Sequence, residues 1–423
     1  MLSKEKNELL TKTDKGTPAG EVLRSFWQPA ALSKELPLGG APLPVRIMGE
    51  NLVLFRDDEG KPGLLGIHCA HRGADLSYGR VENGGLRCIY HGWLFDACGS
   101  CVEIPAEPEG SDYHKSVRQK SYPVIEKGEI IFAYLGEGEP PAFPDFEVLS
   151  VPESHRYVSK YYCECNYLQG NEGNIDPSHS SYLHRIFDEG DSAQYKVVQG
   201  SKMTANEMQG KNVAPTIETE RTAYGLRIYA AREQKEGIYL KVSNYIFPNY
   251  SAVPGPTVGD GYIMNWHVPI DDHHHWRYSF TFRRSKPIEK EWFLRENQET
   301  LYPNFMPIRN RANRYMQDRE EMETKTYSGV GKSFAVHDVV AIEGMGPVQD
   351  RTDEHLISAD KAIIQSRQIL EKAVMETKEN NGKYQPEQEN IDPYADVIVL
   401  SELLPKGTDW KAYFKSKYLE VLK

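Results

Sequence analysis

Four residues that can bind a soft metal stand as two mixed pairs in the first quarter of the chain. Cys69 and His71 are separated by one residue, Cys88 and His91 by two, and sixteen residues lie between the pairs. Thiolate sulfur and imidazole nitrogen are common ligands of zinc and iron. Each pair offers one sulfur and one nitrogen from a short turn, so the spacing predicts one metal centre shared by both pairs.

Two kinds of centre compete for these ligands. A structural zinc site could use all four, but zinc fingers usually pair Cys with Cys and His with His along the chain. Mixed pairs favour a Rieske [2Fe–2S] cluster, in which two Cys hold one iron and two His hold the other. Gly73 and Gly92 allow the two loops to fold tightly around such a cluster. The pattern favours the Rieske cluster over zinc and over two unrelated Cys/His pairs.

A second group of possible metal ligands contains Asp176, His179 and His184. Asp176-Pro177 predicts a helix start, with Asp176 as the N-cap and both histidines on the helix that follows. The histidines are five residues apart, which on an ideal helix is about 140° of rotation, so a shared metal would need a distorted turn. Taken alone, the pair is equally compatible with two surface histidines.

Three other patterns are interpreted as structural. We interpret Cys98 and Cys101 as two reduced thiols and not as a zinc half-site or a redox pair, because the sequence leaves no complementary half-site. Cys163 and Cys165 alternate along one face of a predicted strand and are assigned to the core. The histidines 273–275 follow two aspartates and are predicted to lie in a solvated turn.

Composition excludes several classes of protein. The 423 residues include 50 Lys and Arg against 61 Asp and Glu, a net charge of −11, which disfavours nucleic-acid binding. No apolar run approaches the ~18–20 residues that span a bilayer. The first residues show no secretory signal, and six cysteines are too few for a disulfide scaffold. We therefore expect a cytoplasmic protein with neither a membrane nor a nucleic-acid partner.

The elements that position these residues predict an α+β fold. Residues 1–40 are expected to be a lead-in that packs on the catalytic domain, and residues 41–145 a small all-β Rieske domain of short strands and Gly-rich turns. The Pro-rich segment 138–146 is a predicted linker. Residues 146–423 then form a domain of antiparallel sheet and helices. Its C-terminal helical tail aligns Trp410, Phe414, Tyr418 and Leu422 on one face, which we expect to pack on a subunit.

Together these motifs resemble a known family, the Rieske non-heme iron aromatic-ring oxygenases of the phthalate-dioxygenase-like subgroup. The resemblance runs over nearly the whole chain, from NELLTKTDKGTPAGEVLRSFWQPA through the cluster motif and EGNIDPSHSSYLH to HDVVAIEGMGPVQDRTDEHL. It implies that His179 and His184 bind a mononuclear iron and that Asp176 bridges a cluster histidine to an iron histidine. The third iron ligand would be Asp338, in the D-V-V-x-x-E context, rather than Asp318.

The resemblance also implies partners and a substrate class. The oxygenase would be a homotrimer that uses O₂, with each cluster facing the neighbouring subunit's iron. The chain has no G-x-G-x-x-G motif and no plant-type ferredoxin spacing, so electrons must come from a separate NAD(P)H-dependent reductase, with or without a ferredoxin. Relatives oxidise aromatic acids, by ring hydroxylation or by O-demethylation of a methoxyaryl acid.

A basic residue on the cavity wall is expected to meet the substrate carboxylate. Along the predicted strand, Arg232 shares its parity with apolar residues and Arg227 faces the other side, so Arg232 is the first candidate and Arg227 the second. The alternative functions are a non-catalytic Rieske electron carrier and a zinc-stabilised binding module.

Overall fold

The computed structural model describes residues 1–190, 197–257, 259–296, 300–301, 304–384 and 393–419. The first third of the chain is mostly β-structure. Its elements are α1 (Lys4–Thr11), α2 (Pro18–Arg24), β1 (Gln28–Leu32), β2 (Leu43–Ile47), β3 (Glu50–Arg56), β4 (Pro62–Gly66), β5 (Arg80–Glu82), β6 (Gly85–Arg87), β7 (Leu94–Phe95), β8 (Cys101–Glu103), β9 (Ser121–Tyr122), β10 (Val124–Lys127) and β11 (Ile130–Ala133).

These strands form three small antiparallel sheets. Two of them, β2-β3-β4-β9 and β5-β6-β7-β8, enclose a separate apolar core that includes Phe55, Leu65 and Phe95. The third sheet, β1-β11-β10, pairs a strand from the expected lead-in with the end of the expected Rieske domain. The cluster motif lies in two loops, one after β4 and one between β6 and β7. The division of the chain at residues 40 and 145 stays a prediction.

The rest of the chain combines a large sheet with helices. Its elements are α3 (Glu147–Ser150), β12 (Arg156–Cys163), α4 (Tyr167–Ile175), α5 (Ala205–Lys211), β13 (Thr216–Thr222), β14 (Gly225–Glu233), β15 (Gly237–Ile246), β16 (Tyr250–Val253), β17 (Ile263–Asp271), β18 (His274–Phe282), α6 (Lys290–Glu296), β19 (Thr300–Leu301), β20 (Met306–Pro307), α7 (Arg319–Thr324), α8 (Phe334–Gly344), α9 (Lys361–Glu379), β21 (Leu400–Pro405) and α10 (Trp410–Phe414).

The large sheet is antiparallel and confirms the predicted α+β class. Its order is β12-β18-β17-β16-β15-β14-β13, and β21 pairs with the first half of β15. Helix α4 packs on β16, β17 and β18 and also contacts α8, while α9 contacts β13, β14 and the N-terminal helices. The strands therefore form one wall, α4 lies against it, and α8 packs on α4.

Helix α4 ends where the sequence predicts a helix to begin. Asp176 follows its last residue in an extended conformation, because the residue before a proline is disfavoured in the helical region. The Asp176 carboxylate accepts a hydrogen bond from the Ser178 amide at 2.6 Å and forms a local turn. The prediction of Asp176 as an N-cap with both histidines on the following helix is therefore wrong. His179 begins a single 3₁₀ turn, and His184 lies in the irregular segment after it.

The prediction that residues 273–275 lie in a solvated turn is also wrong in part. His275 is fully buried, because the alternation of β18 directs it under α4, where its Nδ1 lies 2.7 Å from the Cys165 carbonyl oxygen. His273 is exposed, as predicted for a turn. Trp410 and Phe414 of the C-terminal tail pack on Tyr229 of their own chain, with ring centroids 5.3 and 5.2 Å apart. Tyr418 packs beside Phe414, and Leu422 lies outside the described residues.

The remaining cysteine predictions agree with the structure. Cys98 and Cys101 are free thiols, the first exposed and the second buried. Cys163 and Cys165 are fully buried in a small apolar cluster beside α8. No helix in the described ranges is long and apolar enough to cross a bilayer.

Close packing of α4 on the sheet gives the first testable prediction. A Cβ at Gly170 would lie 2.3 Å from His267 Nδ1 and 2.6 Å from His275 Nε2, so Gly170→Ala must displace two buried rings or the helix. We expect the free energy of unfolding to fall by about 1–3 kcal/mol, as for other overpacked cores. Iron content should fall with it, because α4 leads into the Asp176 turn.

Gly173→Ala is the matched control, since its Cβ would meet only Ile342 Cγ2, at 3.3 Å. Denaturant unfolding and iron analysis of the two variants check the prediction. Equal stability of the two proteins would contradict it.

Candidate metal centres

Two loops with the same backbone design carry the predicted cluster ligands. In the first, the Gly73 amide donates to the Cys69 carbonyl oxygen at 2.8 Å, and in the second the Gly92 amide donates to that of Cys88 at 3.0 Å. Both glycines adopt left-handed φ values, 77° and 76°, which a side chain would disfavour. The sequence therefore closes each loop so that a Cys and the following His point the same way.

The four side chains approach each other as like pairs. The Cys69 thiol lies close enough to that of Cys88 for the two to interact electrostatically, and the His71 and His91 ring centroids lie 4.6 Å apart. Burial and the neighbouring Cys88 raise the pKa of Cys69 to about 11, a penalty that a bound metal would remove because it binds the thiolate. His71 Nδ1 is shielded from solvent and has no hydrogen-bond partner within the described part of the chain. These features fit a cluster with sulfur ligands on one iron and nitrogen ligands on the other.

An indole ring fixes the position of the first histidine. Trp93 stacks on His71 with centroids 4.4 Å apart and an interplanar angle of 4°. Tyr90 lies next to His91 on the exposed side of the loop and is covered in part by the Arg72 guanidinium, 5.6 Å from its ring centroid. The buried side of the loops thus fixes the ring planes, while the histidine edge stays close to the surface.

The second predicted centre brings together His179, His184 and Asp338. His179 Nε2 lies 3.0 Å from His184 Nε2, and Asp338 Oδ1 lies 3.1 Å from His184 Nε2 and 3.8 Å from His179 Nε2. One ligand atom from each of the three residues falls within 4.8 Å of the others. Two imidazoles and one carboxylate at this spacing match the ligand set of a non-heme iron site with open positions.

Secondary structure explains why the three side chains meet. His179 stands on the 3₁₀ turn after α4, His184 on the following segment, and Asp338 in the middle of α8, which packs on α4. The Phe334 ring stacks on His184 with centroids 4.5 Å apart. On the other edge of that imidazole, Nδ1 contacts His337 Nδ1 at 3.2 Å. The non-helical turn supplies the distortion that a spacing of five residues requires.

Electrostatics hold His184 and Asp338 in their metal-binding protonation states. Burial lowers the pKa of His184 to about 4, which keeps the imidazole neutral and able to bind metal at neutral pH. Burial alone would raise the pKa of Asp338, but His184, Arg277 and His179 together hold it well below its usual value. The site therefore offers the negative charge of Asp338 beside the neutral imidazole of His184.

Asp176 and Asp318, the two other predicted carboxylates, have different positions. Asp176 Oδ2 lies 3.4 Å from His179 Nδ1, on the ring edge opposite to the one that faces His184. Asp318 is the exposed N-cap of α7, where its carboxylate accepts hydrogen bonds from the amides of residues 320 and 321. Asp338 rather than Asp318 therefore stands beside the two histidines.

Neither arginine predicted to bind substrate has a free guanidinium in the cavity. Arg232 has the predicted parity but is fully buried, and it donates to the Pro177 carbonyl oxygen at 2.9 Å and to Ser181 Oγ at 3.2 Å. Arg227, on the other face, pairs with Glu220 at 3.0 Å. Strand periodicity gave the correct face of Arg232, but it could not show that the His179 turn lies within reach of the side chain.

Arg232 is instead a clamp on the metal-binding turn, which gives a second prediction. Arg232→Ala removes the donors to Pro177 and Ser181 on either side of His179. We expect it to lower mononuclear iron per cluster, because unpaired buried acceptors cost about 1–3 kcal/mol each and the turn can relax. Iron and sulfide analysis of the purified protein measures the ratio. Arg227→Ala removes a buried arginine far from the turn and should keep the ratio; an equal loss in both variants would contradict the assignment.

A cavity opens beside the second centre, between the sheet and the two helices. It is lined by the three side chains of that centre, by Tyr157, Ser159 and Tyr161 of β12, by Tyr239, Lys241 and Ser243 of β15, and by Trp292 and Phe293. Sequence reasoning missed Lys241. The available signal was its place in the middle of an otherwise buried strand, where a cation is unusual.

Lys241 carries a free ammonium in this cavity. Its Nζ has no hydrogen-bond or ion-pair partner among the described residues, and burial, with Arg232 nearby, lowers its pKa to about 8. Asp176 and Asp338 oppose that shift. Among the described residues of the cavity wall, Lys241 is therefore a half-buried cation at the metal-binding end that has no counter-ion in contact.

Comparison with known proteins identifies the family. A model described as the Rieske [2Fe-2S] domain matches residues 26–123, and one described as LigXa C-terminal domain like matches residues 133–421. The 3-chlorobenzoate-3,4-dioxygenase oxygenase subunit of Comamonas testosteroni is 31% identical over 97% of each chain. The 5,5'-dehydrodivanillate O-demethylase oxygenase subunit of Sphingobium sp. is 33% identical over 88% of this chain and 80% of its own.

The fold agrees with that result. A crystal structure of dicamba monooxygenase bound to dicamba has a TM-score of 0.61, covers 85% of this chain and 99% of its own, and is 19% identical. The chain belongs to the Rieske-type oxygenase subunits with a LigXa-like C-terminal domain. The predicted resemblance is confirmed, and with it an enzyme that carries a Rieske [2Fe–2S] cluster and mononuclear iron.

Proposed function

We propose that this protein is the terminal oxygenase for an aromatic carboxylate, which it hydroxylates on the ring or demethylates at a methoxy group. The observation that carries the proposal is a cavity that joins a 2-His-1-carboxylate group to aromatic walls and to the ammonium of Lys241. The relatives named above include a chlorobenzoate dioxygenase subunit and an O-demethylase subunit, so both chemistries occur at this level of identity. When bound, the cluster supplies single electrons and the iron supplies O₂ activation.

We assign the metal ligands from the geometry of the side chains. Cys69, Cys88, His71 and His91 would hold the cluster, because their loops present two sulfurs and two imidazoles as like pairs. The iron ligands would be His179 Nε2, His184 Nε2 and Asp338 Oδ1, the three atoms that face one another in the second centre.

We assign to Asp176 the transfer of electrons into the iron site. Its carboxylate lies against His179 Nδ1 and can accept a hydrogen bond from the N–H at that position. This bond would orient the ring and couple its charge to a neighbouring electron donor. A head-to-tail homotrimer would bring a second subunit's cluster histidine to the other side of Asp176. The exposed aromatic pair Tyr182 and Tyr327, with rings 5.4 Å apart next to this turn, supports a protein neighbour there.

The electron donor is proposed to be a separate reductase, directly or through a ferredoxin. Supporting this, the exposed residues Ile89 and Tyr90 stand beside His91, which leaves the histidine edge of the cluster loops accessible to a partner. Six unpaired thiols fit the reducing cytoplasm, the location we propose.

Removing the metal ligands one centre at a time tests the proposal. His179→Ala and Asp338→Ala should each lower iron from about three to about two atoms per chain and leave the visible spectrum of the cluster unchanged. Cys69→Ala should remove the cluster spectrum. In every variant, O₂ uptake driven by a reductase and an aromatic acid should be lost. Zinc in the purified protein, or iron retained in both Ala variants, would reject the assignment.

Asp176→Asn belongs to the same experiment and separates electron transfer from metal binding. It should retain both metals, yet oxidation of the reduced cluster by O₂ in the presence of substrate should slow by at least tenfold. Asp318→Asn is the matched carboxylate control, since Asp318 only caps a surface helix. A normal rate in Asp176→Asn would remove that residue from the pathway.

Lys241 is proposed to bind the carboxylate of the substrate, which predicts a dependence on charge and pH. Lys241→Met should raise KM for an acid about tenfold or more, as expected from a charged hydrogen bond worth about 1.5–3 kcal/mol, and leave KM for its methyl ester unchanged. In the wild type, the ammonium is lost as pH rises through its pKa of about 8, so KM for the acid should rise above that pH.

Initial rates between pH 6.5 and 9.5 measure this effect, and the profile of Lys241→Met should be flat over the range. The control is Lys332→Met, which removes a second lysine of the cavity wall, one that lies next to the exposed Gly190. A larger KM effect in the control variant would show that the carboxylate binds elsewhere.

A further inference from the structure

Arg277 lies at the second metal centre and has no role in the proposal above. It stands on β18 opposite His267 of β17, on the sheet face that α4 covers, and it lines the cavity. The side chain is about one-tenth exposed, and so is that of Asp338. A largely buried guanidinium therefore stands next to a carboxylate that faces two imidazoles.

The two oxygens of Asp338 have different partners. Oδ1 faces the histidines, 3.1 Å from His184 Nε2, whereas Oδ2 accepts a hydrogen bond from Arg277 Nη1 at 2.9 Å. A charge-assisted bond of this length is among the strong ones in proteins. The carboxylate can therefore rotate toward the histidines with both oxygens only by breaking the bond to Arg277.

A chain of amide side chains fixes the guanidinium in turn. Arg277 Nε donates to Asn265 Oδ1 at 3.3 Å, and Asn265 Nδ2 donates to Asn174 Oδ1 at 2.7 Å. Asn174 Nδ2 donates to the Gly170 carbonyl oxygen within α4, at 3.2 Å. Because each amide has its oxygen and its nitrogen committed, the plane of the guanidinium is tied to the helix that leads into the His179 turn.

We propose that Arg277 is a positioning residue that occupies Oδ2 of Asp338, so that a metal held by the two histidines receives only Oδ1. The inference rests on the proposed iron site and deepens it. With Oδ2 held by Arg277, the metal would keep one more position free for O₂ or water than if both carboxylate oxygens bound it. Arg277 also draws negative charge away from Oδ1, because the arginine shares the carboxylate.

A wild-type measurement tests the inference without any substitution. Protein labelled with ¹³C at aspartate carboxyls is compared with and without Fe(II) by infrared difference spectroscopy. Binding through one oxygen separates the asymmetric and symmetric carboxylate stretches widely, and binding through both narrows the separation. We expect the wide separation, and the narrow one would overturn the inference.

Variants give an independent readout. The Fe(II)–nitric oxide complex has an electron paramagnetic resonance signal that reports the ligand set, and the oxidised cluster is silent. Arg277→Gln should change that signal and speed the loss of Fe(II) to a ferrous chelator by about 10- to 100-fold, the usual effect of losing a partner of a metal ligand. Arg277→Lys should restore most of the wild-type signal, because an ammonium can still occupy Oδ2.

Arg284→Gln is the matched control, since Arg284 is an exposed partner of Glu147. A wild-type signal in Arg277→Gln, with only KM for the acid raised, would overturn the inference and assign Arg277 to substrate binding. Failure of the proposed function is distinguishable: the wild-type protein itself would then give no Fe(II)–nitric oxide signal that depends on His179.

Discussion

Three ligand atoms from three separate backbone segments lie within 4.8 Å of one another, and this convergence is the constraint on which the catalytic domain depends. Because burial keeps the His184 imidazole neutral, ion pairing alone does not draw the three groups together. Their approach is therefore determined less by their own contacts than by the elements behind them. Helix α4 must end at Ile175, α8 must pack on it, and the sheet must hold α4.

The packing of α4 on the sheet shows how that requirement is met. Gly170 brings the helix backbone against His267 and His275, closer than any residue with a side chain would allow. The half-buried amide of Asn174 and the buried amide of Asn265 then link helix and sheet by a hydrogen bond instead of an apolar contact. Such buried polar links are stable only when their donors and acceptors are satisfied together, which ties the position of the helix end to the register of β17 and β18.

Much of this arrangement could be predicted from the sequence. The cluster loops follow from local spacing, because ligands and glycines of each loop lie within five residues of one another. The strands follow from alternation. Asp338 was found only by resemblance, since nothing local distinguishes it from other carboxylates. The helix end at Asp176 was missed because Asp-Pro fits both an N-cap and a turn, and the packing of α4 decides between them.

The arginines show why side-chain roles are harder to predict than elements. Periodicity places Arg232 on the correct face of β14, but a long side chain can reach several neighbours, and here it reaches the carbonyl oxygen of Pro177. Lys241 stands on the adjacent strand, and its ammonium, which lines the cavity, has no such acceptor among the described residues. Two cations on one sheet face thus differ in their contacts, because only Arg232 reaches a backbone acceptor.

The same reasoning explains how one cavity can combine an anionic metal site with an anionic substrate. Asp338 is neutralised in place by Arg277 and by the metal it is proposed to bind, and Asp176 is held by His179 and by backbone amides. Each protein carboxylate therefore has its own partner at 2.6 to 3.4 Å. Lys241 has no counter-ion in contact among the described residues, and a half-buried cation of this kind is stabilised by a ligand that brings one. The proposed preference for an acid thus rests on the distribution of charge more than on the shape of the cavity.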